Sequence, residues 1–160
     1  MTRYRASILF VLASLSGGCQ TFSAISPGTP SQEVQAHFGA PNSVWKNADG
    51  SEVWEYPRGR TGVQQFMIAI GPDRTVQSVA QVLTEAYLSK VQIGMSRDNV
   101  RRLLGTPREI VTFERRNEEV WTWPYLQFSG YMLFHVHFDR SSGTVELILR
   151  LEDLDYLVGD

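Results

Sequence analysis

The apolar positions of this chain follow two rhythms, and each rhythm occurs twice. Val100, Leu103 and Leu104 stand at the i, i+3, i+4 spacing of one helix face. Ser96 precedes them as an N-cap, and Gly105 and Pro107 end the run. An earlier, weaker copy has Ser31 as the cap, Val34 and Phe38 with His37 as the inward positions, and Gly39 and Pro41 as the stop. Thr84 is placed to cap a further short helix from Glu85 to Val91, and Gly94 turns the chain after it.

The second rhythm has a period of two. Residues 53–56 and 120–123 are aromatic and β-branched, and Pro57 and Pro124 are expected to close them. Phe66, Ile68 and Ile70 alternate with Gln65, Met67 and Ala69, then Gly71-Pro72-Asp73 turns the chain into a strand over 76–82. Later, Met132, Phe134, Val136 and Phe138 alternate with Leu133, His135 and His137. After a turn at Ser141-Ser142-Gly143, Val145, Leu147, Leu149 and Leu151 are expected on the core face, with Glu146, Ile148, Arg150 and Glu152 opposite. Helices segregated from antiparallel strands with one wetter face predict an α+β fold.

These blocks repeat in register. Gly28, Glu33-Val34 and Gly39-Ala40-Pro41 match Gly94, Asn99-Val100 and Gly105-Thr106-Pro107 at an offset of 66. Glu52-Val53-Trp54 returns as Glu119-Val120-Trp121 at 67, Phe66 as Phe134 at 68, and Thr75-Val76 as Thr144-Val145 at 69. The offset grows between blocks, as it does when turns lengthen and strands do not. Two tandem repeats are predicted, each of short helices packed on an antiparallel sheet of three to four strands. A repeat of this length buries too little surface to be comfortably stable alone, so the two are expected to pack together.

The N-terminus reads as a targeting segment. Arg3 and Arg5 precede the apolar run Ile8-Leu9-Phe10-Val11-Leu12-Ala13, and Leu15-Ser16-Gly17-Gly18 leads into Cys19. The run is too short to span a bilayer, which takes about 20 apolar residues. Small residues before a cysteine resemble the cleavage box of bacterial lipoproteins, in which that cysteine is lipidated. Cys19 is the chain's single cysteine, so no internal disulfide can form. Gln20 follows it; the resemblance implies that an aspartate there would retain the protein at the inner membrane, and its absence favours the outer membrane. Removing residues 1–18 leaves 13 basic and 17 acidic residues, a net charge of −4, with no basic stripe. Nucleic acid is therefore not an expected partner. The expected organisation is a signal peptide over 1–18, a lipidated tether over 19–30, a first repeat over 31–83, a second over 84–152 and a tail over 153–160.

The segment from Val91 to Pro107, followed by Trp121-Thr122-Trp123 and the strand to Phe138-Asp139, resembles the SmpA/OmlA (BamE-like) family of outer-membrane lipoproteins. The resemblance covers residues 84–151 well and 26–82 more weakly, with Thr29-Pro30 where the second copy has Met95-Ser96, and Ala40 where it has Thr106. It implies two helices on a three-stranded antiparallel sheet, with no catalytic residues. Doubled in tandem, the same unit makes the β-lactamase inhibitory protein architecture, whose joined sheets form a concave protein-binding face.

Catalytic chemistry finds little support. No nucleophile elbow is present, and Arg58-Gly59-Arg60-Thr61-Gly62 is a hairpin connection and not a phosphate loop. His135 and His137, with Glu146 on the next strand, make a thin metal-ligand set, and two solvated or hydrogen-bonded histidines are the preferred reading. No cofactor and no metal are expected. Trp54 with Tyr56 and Trp121 with Trp123 read as core, the alternative being an exposed groove. Tyr125, Phe128, Tyr131 and Leu133 sit near a loop interrupted by Ser129-Gly130 and are the candidate protein-binding residues. The expectation is a non-enzymatic lipoprotein, anchored through Cys19 on the periplasmic side of the outer membrane. It would bind an envelope protein, with the barrel-assembly machinery a candidate partner, as an accessory in barrel assembly or envelope integrity. The alternative is a tandem-repeat inhibitor or sensor of a hydrolase or cell-wall component.

Overall fold

The structure, a computed structural model, describes residues 22, 25–59, 62–128 and 130–154. Cys19, the signal segment over 1–18 and residues 155–160 of the tail lie outside the described residues. The first unit runs α1 (Ser31–Phe38), β1 (Ser43–Lys46), β2 (Glu52–Arg58), β3 (Gln64–Ile70) and β4 (Val76–Gln81). The second runs α2 (Glu85–Leu88), α3 (Arg97–Leu104), β5 (Glu109–Phe113), β6 (Glu118–Gln127), β7 (Gly130–Asp139) and β8 (Val145–Glu152), with a short 3-10 turn at Glu114–Arg116. Each unit holds one four-stranded antiparallel sheet in simple sequential order, so the fold is α+β in two units.

Each sheet buries one face under its helices. In the first unit Trp54, Tyr56, Ile68, Ile70 and Val76 meet Val34. In the second, Trp121, Trp123, Tyr125, Phe134, Val136 and Phe138 meet Leu88, Val100 and Leu104. All four aromatics of the two matched strands are therefore core. Ser96 caps α3 as expected, accepting from the Asn99 amide at 3.3 Å. Ser31 does not cap α1: Pro30 holds that place and Ser31 is the first helical residue, fully buried. His37 is exposed, so the inward face of α1 is Val34 with Phe38.

The duplication extends into the hydrogen bonds. The Tyr56 hydroxyl donates to the Gly39 carbonyl at 2.9 Å, and the Trp123 indole donates to the Gly105 carbonyl at 3.1 Å. The Gly28 amide donates to Val76, and the Gly94 amide donates to Val145, both at 2.8 Å. It also reaches further toward the N-terminus than the sequence blocks. Phe22 is in the first core and Leu88 in the second, with Ile25 and Val91 beside them, at the same offset of 66. Phe22 and residues 25–30 of the expected tether thus pack with the first unit. Phe22 stacks on Phe38 at 4.0 Å and on Phe66 at 4.7 Å, with the Arg58 guanidinium 4.9 Å from its ring centre. Burying such a ring stabilises by about 1.5–3 kcal/mol. That offsets the ordering of only a couple of residues at about 1–2 kcal/mol each. The pairing of Gly28, Thr29 and Ser31 with the β3–β4 turn region holds the rest.

Pro57 and Pro124 do not close their strands; β2 and β6 run through them. The Asn42 amide donates to the Glu55 carbonyl, so the backbone polar groups of odd-numbered β2 residues face β1. Pro57 shares that parity but lies past the end of β1, so its missing N–H removes no ladder bond. Pro124 stands likewise two residues past Thr122, whose carbonyl accepts from Arg108 just before β5 begins.

A second departure is a bulge in each unit. In the first, Ile70 pairs with Val76 but Ala69 pairs with Ser78, skipping Gln77. In the second, Phe138 pairs with Val145 but His137 pairs with Leu147, skipping Glu146. One skipped residue inverts every later side chain. Val145 is in the core, but Leu147, Leu149 and Leu151 lie on the outer face, and Ile148 packs against the core instead. The expected assignment of those leucines to the core is corrected accordingly.

The units are joined through Glu55. Its side chain is 1% exposed on the outer face of the first sheet, opposite Trp54 and Tyr56. The Thr106 amide donates to it at 2.9 Å, the Thr106 hydroxyl donates to the same oxygen, and Arg101 Nη1 approaches the other oxygen at 2.6 Å. Asn42 Nδ2 lies 3.3 Å from Glu55 and 3.2 Å from the Thr106 hydroxyl. Trp45 receives Arg101 and Arg102 over its ring, at 5.3 and 5.8 Å. Burial pushes the Glu55 carboxyl up, but the Thr106 hydroxyl, Arg101 and the Thr106 amide together outweigh it and hold it below its ordinary 4.5.

Two predictions follow from the joint. Because Glu55 has a lowered folded pKa, its contribution is complete above 4.5 and is lost as pH falls through the folded value. Glu55→Gln should lower stability by about 1.5–3 kcal/mol at neutral pH, read by urea denaturation, and the gap to the parent should close in acid. Gly39 and Gly105 both hold a backbone shape open essentially to glycine, at φ 80° and 81°. Open space surrounds Gly39, whereas a Cβ on Gly105 would lie 2.7 Å from Gln65 Nε2. Gly39→Ala should cost about 1–3 kcal/mol and Gly105→Ala more, measured in the same titration.

Candidate protein-binding face

The bulge in β8 turns a column of leucines outward. On the outer face of the second sheet, Leu147 stands beside His137, Leu149 beside His135 and Leu151 beside Leu133. Rows continue across β6 to Val120, Thr122 and Pro124, and a further row pairs Leu126 with Tyr131. Leu147, Leu149 and Leu151 are 44, 37 and 51% exposed, Leu126 is 61% exposed, and Phe128 at the β6–β7 turn is fully exposed. The corresponding face of the first sheet is covered in part by the joint, where Glu55, Gln65 and Met67 are buried.

Polar groups interrupt this face without forming a reactive centre. Thr122 Oγ1 and His135 Nδ1 are 2.9 Å apart, and His137 Nδ1 contacts Glu118 Oε1. Arg108 pairs with the buried Asp153 at 3.1 Å. Burial, and then His137, push His135 below its ordinary 6.5 against the pull of Glu109 and Asp153, so the imidazole is neutral at pH 7. Glu146 is the skipped, exposed residue of the bulge. Among the described residues no three of His, Cys, Asp and Glu cluster as a metal site. No helix among them is long and apolar enough to cross a membrane.

Of the four residues expected here, Phe128 is exposed and Tyr131 and Leu133 are half-buried on the outer face. Tyr125 is corrected: it pairs with Met132 on the core side and is 1% exposed. The alternation along β6 carried that signal, since Tyr125 shares parity with Trp121 and Trp123. Leu147, Leu149 and Leu151 were missed, because nothing in the apolar pattern marks the skipped Glu146.

Residues 28–153 match the family model described as CAP-associated N-terminal. The chain belongs to this family. The family match spans both units, whereas the SmpA/OmlA resemblance rests mainly on the second. No match is found among curated proteins. Several solved structures are distantly similar. A proposed osmotically inducible lipoprotein, OsmE, is 25% identical over 47% of this chain and 79% of its own, with a TM-score of 0.38. An extracellular SCP-domain protein of Bacillus anthracis is 13% identical over 98% of this chain, with a TM-score of 0.32. The chain spans only 52% of that protein. A proposed β-lactamase inhibitor protein of Streptococcus mutans is 17% identical over 84% of this chain and 88% of its own, with a TM-score of 0.33.

The bulge makes a direct prediction. Leu149→Ser should leave stability within about 0.5 kcal/mol, as surface changes do, while Ile148→Ser should cost about 1–3 kcal/mol. Urea midpoints of the two variants check this; the unbulged register requires the opposite order.

Proposed function

We propose that this chain is a non-enzymatic envelope protein that binds a protein partner through the outer face of its second sheet. The observation that carries this reading is the exposed column Leu147, Leu149 and Leu151, extended by Leu126 and Phe128. An apolar surface of this kind, interrupted by His135 and His137, suits protein contact better than small-molecule chemistry. The sequence before Phe22 supports anchoring through lipidated Cys19, on the periplasmic side of the outer membrane. Phe22 stands three positions after Cys19, so such an anchor would be short, at most about 11 Å of extended chain.

Two supports bear on the partner. The family description, CAP-associated N-terminal, favours a CAP-type domain. The SmpA/OmlA-like second unit favours the outer-membrane assembly machinery, with the chain acting as an accessory. Photo-crosslinking from position 149 in cells distinguishes them. The expected result is an envelope protein captured from position 149 and not from the helix position Glu33, with membrane retention lost in Cys19→Ala. Equal capture from both positions, or none from 149, overturns the reading.

A further inference from the structure

The second unit keeps its strands paired where the first opens into a loop. Arg58 with Gln64 is the last pair of β2 and β3, and Tyr125 with Met132 is its counterpart at offsets of 67 and 68. β6 and β7 then add Leu126 with Tyr131 and Gln127 with Gly130. The paired tip so formed carries Leu126 on the outer face and Phe128 in the turn, both exposed. Exposed Leu154 lies beside it, placed there by the Asp153 amide, which donates to the Tyr131 carbonyl at 2.9 Å. This tip stands at the end of the molecule that Phe22 occupies. Phe22 stacks on Phe66, and Phe66 pairs with Gln81, the last residue of β4. Glu85 opens α2 four residues later, and Gln127 Nε2 donates to its carboxylate at 3.3 Å. The other hairpin makes a second connection: a Cβ on Gly62 would lie 3.7 Å from Pro124 Cγ, two residues before Leu126. The turn at Ser141–Gly143 is at the opposite end, the length of the ten-residue β7 away, about 33 Å.

We propose that the β6–β7 tip seats Leu126 and Phe128 in the surface of the phospholipid layer that holds the Cys19 anchor. The proposal rests on the anchoring part of the function proposed above. Cys19 precedes Phe22 by three residues, at most about 11 Å of extended chain, so an anchor there brings this end of the molecule to the lipid and no other. Exposed apolar side chains at that end gain by leaving water for the layer, in proportion to the area they bury. Headgroup charge is not the source of the contact. Arg108 and Arg150 against Glu85, Glu152 and Asp153 leave the residues around the tip at 2 − 3 = −1. Anchor and tip together fix the rotation of the molecule on the surface. The leucine column then runs away from the lipid, from Leu151 to Leu147, and stays open to a protein.

The test places a photo-reactive benzoylphenylalanine at position 126, 128 or 141 of the full chain in cells, with adducts identified by mass spectrometry. Phospholipid adducts are expected from 126 and 128 and none from 141. With the probe at 126, Phe128→Asp should lower the lipid adduct about tenfold or more, because burying such a ring contributes about that factor. Phe128→Leu should stay within about threefold of the parent, since it keeps an apolar side chain at the tip. Phe128 is fully exposed, so neither change disturbs the core. Protein adducts in place of lipid at 128 overturn the proposal, as do equal lipid adducts at 141 or an adduct at 126 that ignores Phe128→Asp. An anchored chain with no lipid adduct at 126 or 128 overturns the tip alone. Membrane retention that ignores Cys19→Ala overturns the anchoring reading instead, and capture from position 149 reads the protein partner separately.

Discussion

Glu55 is closed off from water, and a carboxylate in that position must find its donors within the protein. Asn42 supplies one from its own unit, while Thr106 and Arg101 supply the rest from the end of the second unit's helix and the turn that follows it. The rest of the joint depends on this demand. Gly105 has the backbone shape that aims Thr106 at the carboxylate and leaves room for Gln65. Arg101 reaches across to it while lying over Trp45. A buried ion pair of this kind adds little net stability over an apolar contact but penalises every arrangement that leaves it unmatched. It therefore fixes which surface of one unit meets which surface of the other, where leucines alone would permit sliding.

The duplicated architecture was readable because turns and strand cores were copied together. Gly39 and Gly105 end equivalent helices, and Tyr56 and Trp123 hydrogen-bond to those same glycines. Spacing between Gly, Pro and aromatic blocks is a property of one chain, so it survives in the sequence. The joint was not readable in the same way. Glu55 sits in a strand whose alternation assigns it to the solvent side, and only the arrival of the second unit buries it. The pairing of residues 55 and 106 across the chain has no local trace, although the departure of Ala40 from Thr106 marked the place where the copies differ.

The outer leucines show the same limit at shorter range. Val145, Leu147, Leu149 and Leu151 form a clean period-two run, and such a run implies a single face unless a residue is skipped. The skip at Glu146 is set by pairing with β7, a strand that has to bring Phe138 to Val145 and Val136 to Ile148 at once. The first unit makes the same skip at Gln77, so the bulge belongs to the unit and is not an accident of one strand. What differs is the residue type that follows. In the first unit Ser78 lies outward, and in the second Leu147 does. An identical backbone thus presents serine in one unit and leucine in the other.

The joint also has a direction. The first unit contributes the carboxylate and the second contributes the hydroxyl and the guanidinium. At the matching positions the first unit's helix turn carries Ala40, which has no hydroxyl to offer, and the second unit's strand carries Thr122, already committed to His135. A third unit appended at either end would find no complementary half. Tandem arrays of this kind can in principle grow without limit, with neighbours differing only in number. Here two side-chain differences make the joint one-directional: it is built from unlike halves and is not a repeated contact.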